Sequence, residues 1–119
     1  MELKQCGRSG LYLSALGLGT LTWGRDTDGP EAHDMLKTFV DAGGNLVECS
    51  PAHGEGIAVD VLSQALSTVG RHRVALAWRG AVRRAGEGAW VSAAGRGDLL
   101  RSLDDALARL DTDYVDMWL

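Results

Sequence analysis

Three residues stand out by type and spacing: the acid Glu48, the imidazole His53 and the guanidinium Arg79. Glu48 closes a short apolar run, Asn45 to Glu48, and His53 follows shortly after, just before the glycine-rich Gly54-Glu55-Gly56. Arg79 directly follows a second apolar run, Val74 to Trp78. An imidazolium titrates near neutrality and can donate a proton. A guanidinium stays charged, so it can stabilise a developing oxyanion but cannot shuttle a proton. A carboxylate can hold a guanidinium through a bidentate pair. Together the three suit acid-assisted chemistry at an oxygen. They also admit a structural reading: Glu48 and Arg79 as an ion pair between adjacent strand ends, and His53 as a loop residue donating to a backbone carbonyl.

These side chains need elements to carry them. Leu3 to Gln5 and Leu11 to Leu13 flank Gly7-Arg8-Ser9-Gly10 and read as a β-hairpin over residues 3–13. Ala15 to Gly19 reads as a strand whose glycines admit close approach by a backbone or a ligand. Thr20 to Gly29 reads as a loop. A helix follows from Pro30, with Ala32, Met35, Leu36, Phe39 and Val40 on one face, and stops at Gly43-Gly44. Asn45 to Glu48 is a strand. Val59, Leu62, Leu66 and Val69 mark a second helix, ended by Gly70, and Val74 to Trp78 a third strand. Residues 80–97 read as a long loop rich in Gly, Ala and Arg. Asp98 is the expected N-cap of a third helix, with an apolar stripe of Leu99, Leu103, Ala106, Leu107 and Leu110. Tyr114 to Leu119 is a last strand. The β-α-β-α-β-α-β order implies a parallel sheet with right-handed crossovers. Strand ends in such sheets are where active sites form. Four strands and three helices make half of a (β/α)₈ barrel or an open α/β sheet. A whole barrel takes roughly 250 residues.

Composition narrows the class. With 119 residues, one domain over 1–119 is expected. A net charge of −4 with interspersed signs speaks against a nucleic-acid binder. Arg71-His72-Arg73 and Arg83-Arg84 read as solvated surface. No apolar run reaches the roughly 18 residues of a membrane span. The N-terminus shows no signal-peptide pattern, so the expected location is cytoplasmic. Cys6 and Cys49 form no CxxC pair, so neither a disulfide framework nor a metal site is expected, and Cys49 reads as a small buried thiol. Trp23 reads as a pocket wall or a partly buried loop anchor. Trp78 and Trp118 read as core.

Lys4-Gln5-Cys6-Gly7-Arg8-Ser9-Gly10, Ser14-Ala15-Leu16-Gly17-Leu18-Gly19-Thr20, Phe39-Val40-Asp41-Ala42-Gly43-Gly44-Asn45 and Asp111-Thr112-Asp113-Tyr114-Val115-Asp116 occur in that order. Together they resemble the first half of an aldo-keto reductase, over essentially the whole chain. The resemblance implies an α/β fold, the N-terminal half of a (β/α)₈ TIM barrel, with the hairpin as a lid over the barrel bottom. It implies NADPH-dependent reduction of a small carbonyl substrate. The family's catalytic aspartate, tyrosine and lysine fall on Glu48, His53 and Arg79, so all three are substituted. The family's catalytic histidine falls beyond Leu119. The extra methylene of Glu48 shifts the geometry, and a misplacement of about 1 Å can cost roughly 10²-fold in rate.

Under the same resemblance Gly19 and Thr20 border the nicotinamide, and Gly17 also lets it approach. The cofactor's adenosine-phosphate site belongs to the other half, so tight NADPH binding by these residues alone is not expected. Where the family commonly has a Ser-Glu pair, this chain has Ala58-Val59, which removes a polar cap from the second helix. Two functions follow as expectations. One is an oxidoreductase working inside a complete barrel. The other is a non-catalytic structural or regulatory half-barrel that self-associates as a homo-oligomer or takes a complementing C-terminal half, because open strand edges invite pairing.

Overall fold

In the computed structural model, which describes residues 1–119, local chemistry sets most element boundaries. Helix α1 spans Gly29–Asp41, and the Asp28 side chain caps it by accepting from the Glu31 N–H at 2.9 Å. Its Ala32, Leu36 and Val40 are buried at four-residue spacing. The helix ends in a Schellman motif. The Gly43 N–H donates to the Val40 carbonyl and the Gly44 N–H to the Phe39 carbonyl. Both glycines are required there. Gly43 has φ +85°, and a Cβ on Gly44 would stand 2.4 Å from the Phe39 ring.

Strands β1 (Leu3–Gln5) and β2 (Tyr12–Ser14) form the expected antiparallel hairpin. Strands β3 (Gly17–Gly19), β4 (Leu46–Cys49) and β5 (Ala75–Trp78) lie side by side and parallel, and β8 (Met117–Trp118) completes the sheet beyond β5. Asn45 joins the hairpin to the sheet. Its side chain donates to the Tyr12 carbonyl and accepts from the Ser14 N–H, at 2.9 and 2.7 Å. Helices α2 (Ala58–Val69) and α3 (Arg96–Arg109) follow β4 and β5. As expected, α2 starts without a side-chain cap. Val47, Cys49, Leu76 and Trp78 join Leu36, Leu62, Leu66, Ala106 and Leu110 in one core between sheet and helices.

Several expectations need correction. Residues 80–97 are not a loop throughout: β6 (Val82–Ala85) and β7 (Ala89–Ser92) form an antiparallel hairpin. Gly86 (φ +49°) and Gly88 (φ +95°) supply its turn, and the arginine-rich composition masked the pattern. Asp98 is not the N-cap of α3. Gly95 holds that position, and Asp98 lies in the first turn, paired with Arg101 at 2.8 Å. Tyr114 to Leu119 contains only a two-residue strand. Trp118 is 39% exposed rather than core, because β8 is an edge strand of this sheet. Trp23 is wholly buried.

Nor is Arg71 solvated surface. It donates to Thr112 Oγ1, the Val74 and Tyr114 carbonyls and Asp116 Oδ2, and stacks 3.9 Å from the Tyr114 ring centroid. Asp116 Oδ2 also accepts from the Leu76 N–H. The clamp fixes where β8 approaches β5. No helix is long and apolar enough to cross a membrane.

Candidate functional site

The parallel register sets Gly19 beside Glu48 and Glu48 beside Ala77. Alternation along β4 sends Val47 and Cys49 into the core and Glu48 to the opposite face. Past the end of β3, the Thr20 N–H donates to the Glu48 carbonyl at 3.2 Å. Past the end of β5, the Arg79 N–H donates to the Cys49 carbonyl at 2.9 Å. Thr20, Glu48 and Arg79 are therefore placed by sheet hydrogen bonds. His53 is placed by a 3₁₀ turn, His53–Gly56, that follows β4.

That turn is unusual. Gly54 and Glu55 both have left-handed backbone, at φ +54° and +56°. A Cβ on Gly54 would lie 1.9 Å from the Trp23 carbonyl oxygen, so only glycine fits. The Gly54 N–H donates to the Leu21 carbonyl at 3.1 Å.

All five residues singled out from the sequence converge. Thr20 Oγ1 is 3.0 Å from His53 Nδ1, and His53 Nε2 is 3.8 Å from Glu48 Oε1. Arg79 Nε is 3.1 Å from the same oxygen. The Glu48–Arg79 pair forms, but through one poorly aligned contact. Glu48 Oε1 is buried and accepts no hydrogen bond. Trp23 Nε1 is likewise buried without an acceptor. Arg79 is the exposed member, with 58% of its side chain open against 24% for Glu48.

Burial holds the His53 imidazole below its ordinary value. The Glu48 carboxylate opposes that shift, and the Arg79 guanidinium adds to it. The ring is therefore neutral at pH 7. His53 does not donate to a backbone carbonyl from its ring as the structural reading expected; its Nδ1 is engaged by Thr20. Burial pushes the Cys49 thiol up to about 11, which removes it as a nucleophile at neutral pH. No cluster of His, Cys, Asp or Glu is suited to hold a metal.

Gly19 leaves the sheet edge open: a Cβ there would approach nothing nearer than Glu48 Oε2, at 3.7 Å. The open edge lies beside Glu48 Oε2, an acceptor that suits a ligand bringing a hydroxyl or amide N–H. The hydroxyl of Thr20, by contrast, is taken by His53. A separate cavity of about 250 Å³ lies between β5, the β6–β7 hairpin and α3, and Glu48, His53 and Arg79 do not line it. The sequence pointed to no role for Glu55, Arg84 or Trp90, which meet beside the His53 turn.

Parallel strands alternating with helices, and an acid, an imidazole and a guanidinium at their C-terminal ends, define one half of a TIM barrel. The family model described as the Aldo/keto reductase family matches residues 15–119, so the chain belongs to that family. It is 32% identical over 118 residues to a protein of Oryza sativa subsp. japonica named "Probable voltage-gated potassium channel subunit beta", covering 98% of this chain and 36% of that one. An aldo-keto reductase from Bacillus halodurans, solved in its holo form, superposes with a TM-score of 0.86 at 27% identity, over 99% of this chain and 39% of that one. An aldo-keto reductase from Klebsiella pneumoniae in complex with NADPH gives 0.69 at 26% identity, over 90% and 34%. The chain thus spans little more than a third of the length of these relatives.

Proposed function

We propose that this chain carries the first half of the catalytic face of a nicotinamide-dependent carbonyl reductase, completed by further β/α units. The observation behind this reading is the convergence of Gly19, Thr20, Glu48, His53 and Arg79 at three adjacent strand ends. NADPH, when bound, would supply hydride to the carbonyl carbon. Gly19 would leave room for the nicotinamide end, and Glu48 Oε2 would accept one of its donors. Glu48 would hold Arg79, whose exposed guanidinium would face the oxygen that gains charge. His53, once protonated, would donate the proton to that oxygen. Because burial keeps the imidazole neutral, reduction would run better as pH falls towards the lowered His53 value.

The test is an NADPH fluorescence titration and a carbonyl-reduction assay on the chain, alone and with a complementing C-terminal half. Absence of binding by the folded, complemented protein refutes the reading. In that completed barrel, Glu48→Asp, His53→Tyr and Arg79→Lys together should raise turnover.

A second reading is a non-catalytic half-barrel that requires a partner or self-association. It is favoured by the two open sheet edges, β3 and β8, with Trp118 and Leu119 exposed at the latter. Light scattering separates the two: this reading expects a defined oligomer, and a stable dispersed monomer contradicts it.

A further inference from the structure

We infer that the β6–β7 hairpin is a latch that positions His53 by holding the turn behind it, an inference that rests on His53 being the reacting imidazole. Two consecutive left-handed residues, Gly54 and Glu55, follow His53. That backbone is disfavoured at Glu55, which carries a side chain, so neighbouring contacts must hold it.

The contacts come from the hairpin. Arg84 Nη2 donates to the Glu55 carbonyl at 2.8 Å and lies 3.4 Å from its carboxylate. Trp90 Nε1 donates to the same carboxylate at 3.4 Å. Arg84 stacks over the Trp90 ring at 4.8 Å, which joins the two donors into one arm. From α3, Arg109 donates to the Gly56 carbonyl at 2.6 Å while paired to Asp60 at 3.0 Å. The turn is thus gripped on its outer side by β6, β7 and α3, and on its inner side by Leu21 and Trp23.

Apart from this grip and an Arg83–Asp98 contact at 3.8 Å, the hairpin is lightly anchored. Its eight strand residues are exposed or half-exposed, none buried. The arm can therefore open without disturbing the core. Arg84 and Trp90 hydrogen-bond to Glu55 and make no hydrogen bond or ion pair with Glu48 or Arg79, so they are positioning residues that act through Glu55. An opened arm would release the turn and draw His53 Nδ1 from Thr20.

The experiment follows the His53 imidazole by NMR as pH is varied, in the 119-residue chain and in the Arg84→Ala, Trp90→Phe double variant. The groups facing His53 are Thr20 after β3, Glu48 on β4 and Arg79 after β5, and none is changed. Methyl signals of Val47 and Leu76 report whether the core is folded. The expected result is a rise of the His53 titration towards the ordinary value of about 6.5, as the ring gains water, with Arg84→Lys recovering part of the shift. A folded double variant whose His53 titrates as the parent does overturns the latch. Should the double variant not fold, Trp90→Phe alone removes one donor. The Gly54 amide, bonded to Leu21, should then exchange with solvent severalfold faster, and unchanged exchange overturns the inference. Neither readout requires turnover, so failure of the reductase reading leaves both interpretable.

Discussion

Replacing Thr20 by valine keeps its volume and deletes only the hydroxyl that meets His53. Thr20 is fully buried and His53 is 7% exposed, so water cannot take the place of the lost partner. The hydrogen bond itself is worth about 1 kcal/mol net, and a buried ring nitrogen left unsatisfied costs about 1–3 kcal/mol. Thr20→Val should therefore destabilise the fold by about 1–3 kcal/mol, or roughly 4–12 °C in Tm for a domain of this size. Urea unfolding followed by tryptophan fluorescence measures it, since Trp23 and Trp78 are buried in the core. Thr20→Ser provides the control: it keeps the hydroxyl and loses one methyl, about 0.8 kcal/mol. The His53 titration should move in the valine variant and stay in place in the serine variant. Equal titration curves in both, or a valine variant within about 0.3 kcal/mol of the parent, would refute the claim that Thr20 holds the imidazole.

Arg71→Ala removes four hydrogen bonds and a stacked cation from a largely buried clamp, and leaves Asp116 with only the Leu76 N–H. The expected loss is about 2–4 kcal/mol in chemical denaturation, and Arg71→Lys should recover less than half of it, because an ammonium cannot span the same acceptors. Stability should also fall in two separate pH windows. His53 is held below its unfolded value of 6.5, so the folded state resists its protonation; the contribution is full above that pH and is lost as pH falls through the lowered folded value. His53→Gln should abolish that first decline. Asp41, held low by hydrogen bonds from Lys37 and Arg73, contributes stability that is lost only below its unfolded value of 3.8. A stability profile flat between pH 7 and 5 would contradict the burial of His53.

Much of the site was legible because its placement follows from short-range rules. Glu48, Thr20 and Arg79 sit at strand ends that apolar runs mark in the chain, and parallel pairing then aligns the ends. What escaped was the orientation of each group. The resemblance sets Thr20 at the border of a cofactor, and nothing in the chain reveals that its hydroxyl meets His53. Glu48 and Arg79 read as a bidentate pair, yet Oε1 accepts no aligned hydrogen bond. Residues 80–97 read as loop because arginines and alanines hid a hairpin whose turn glycines were visible all along. Arg71 read as surface because its four acceptors lie up to 45 residues away in the chain.

The residue order by itself determined the alternation of helix and strand, the stops at Gly43-Gly44 and Gly70, and the row of Glu48, His53 and Arg79. Periodicity, backbone freedom and capping act over a few residues, so the chain carries them openly. Only the tertiary structure decided that His53 is buried and neutral, that Thr20 engages it, and that Arg84 and Trp90 hold the turn behind it from 29 and 35 residues away. Those facts depend on which surfaces the sheet and helices bring together and on how much water they exclude. Neither property belongs to any single segment.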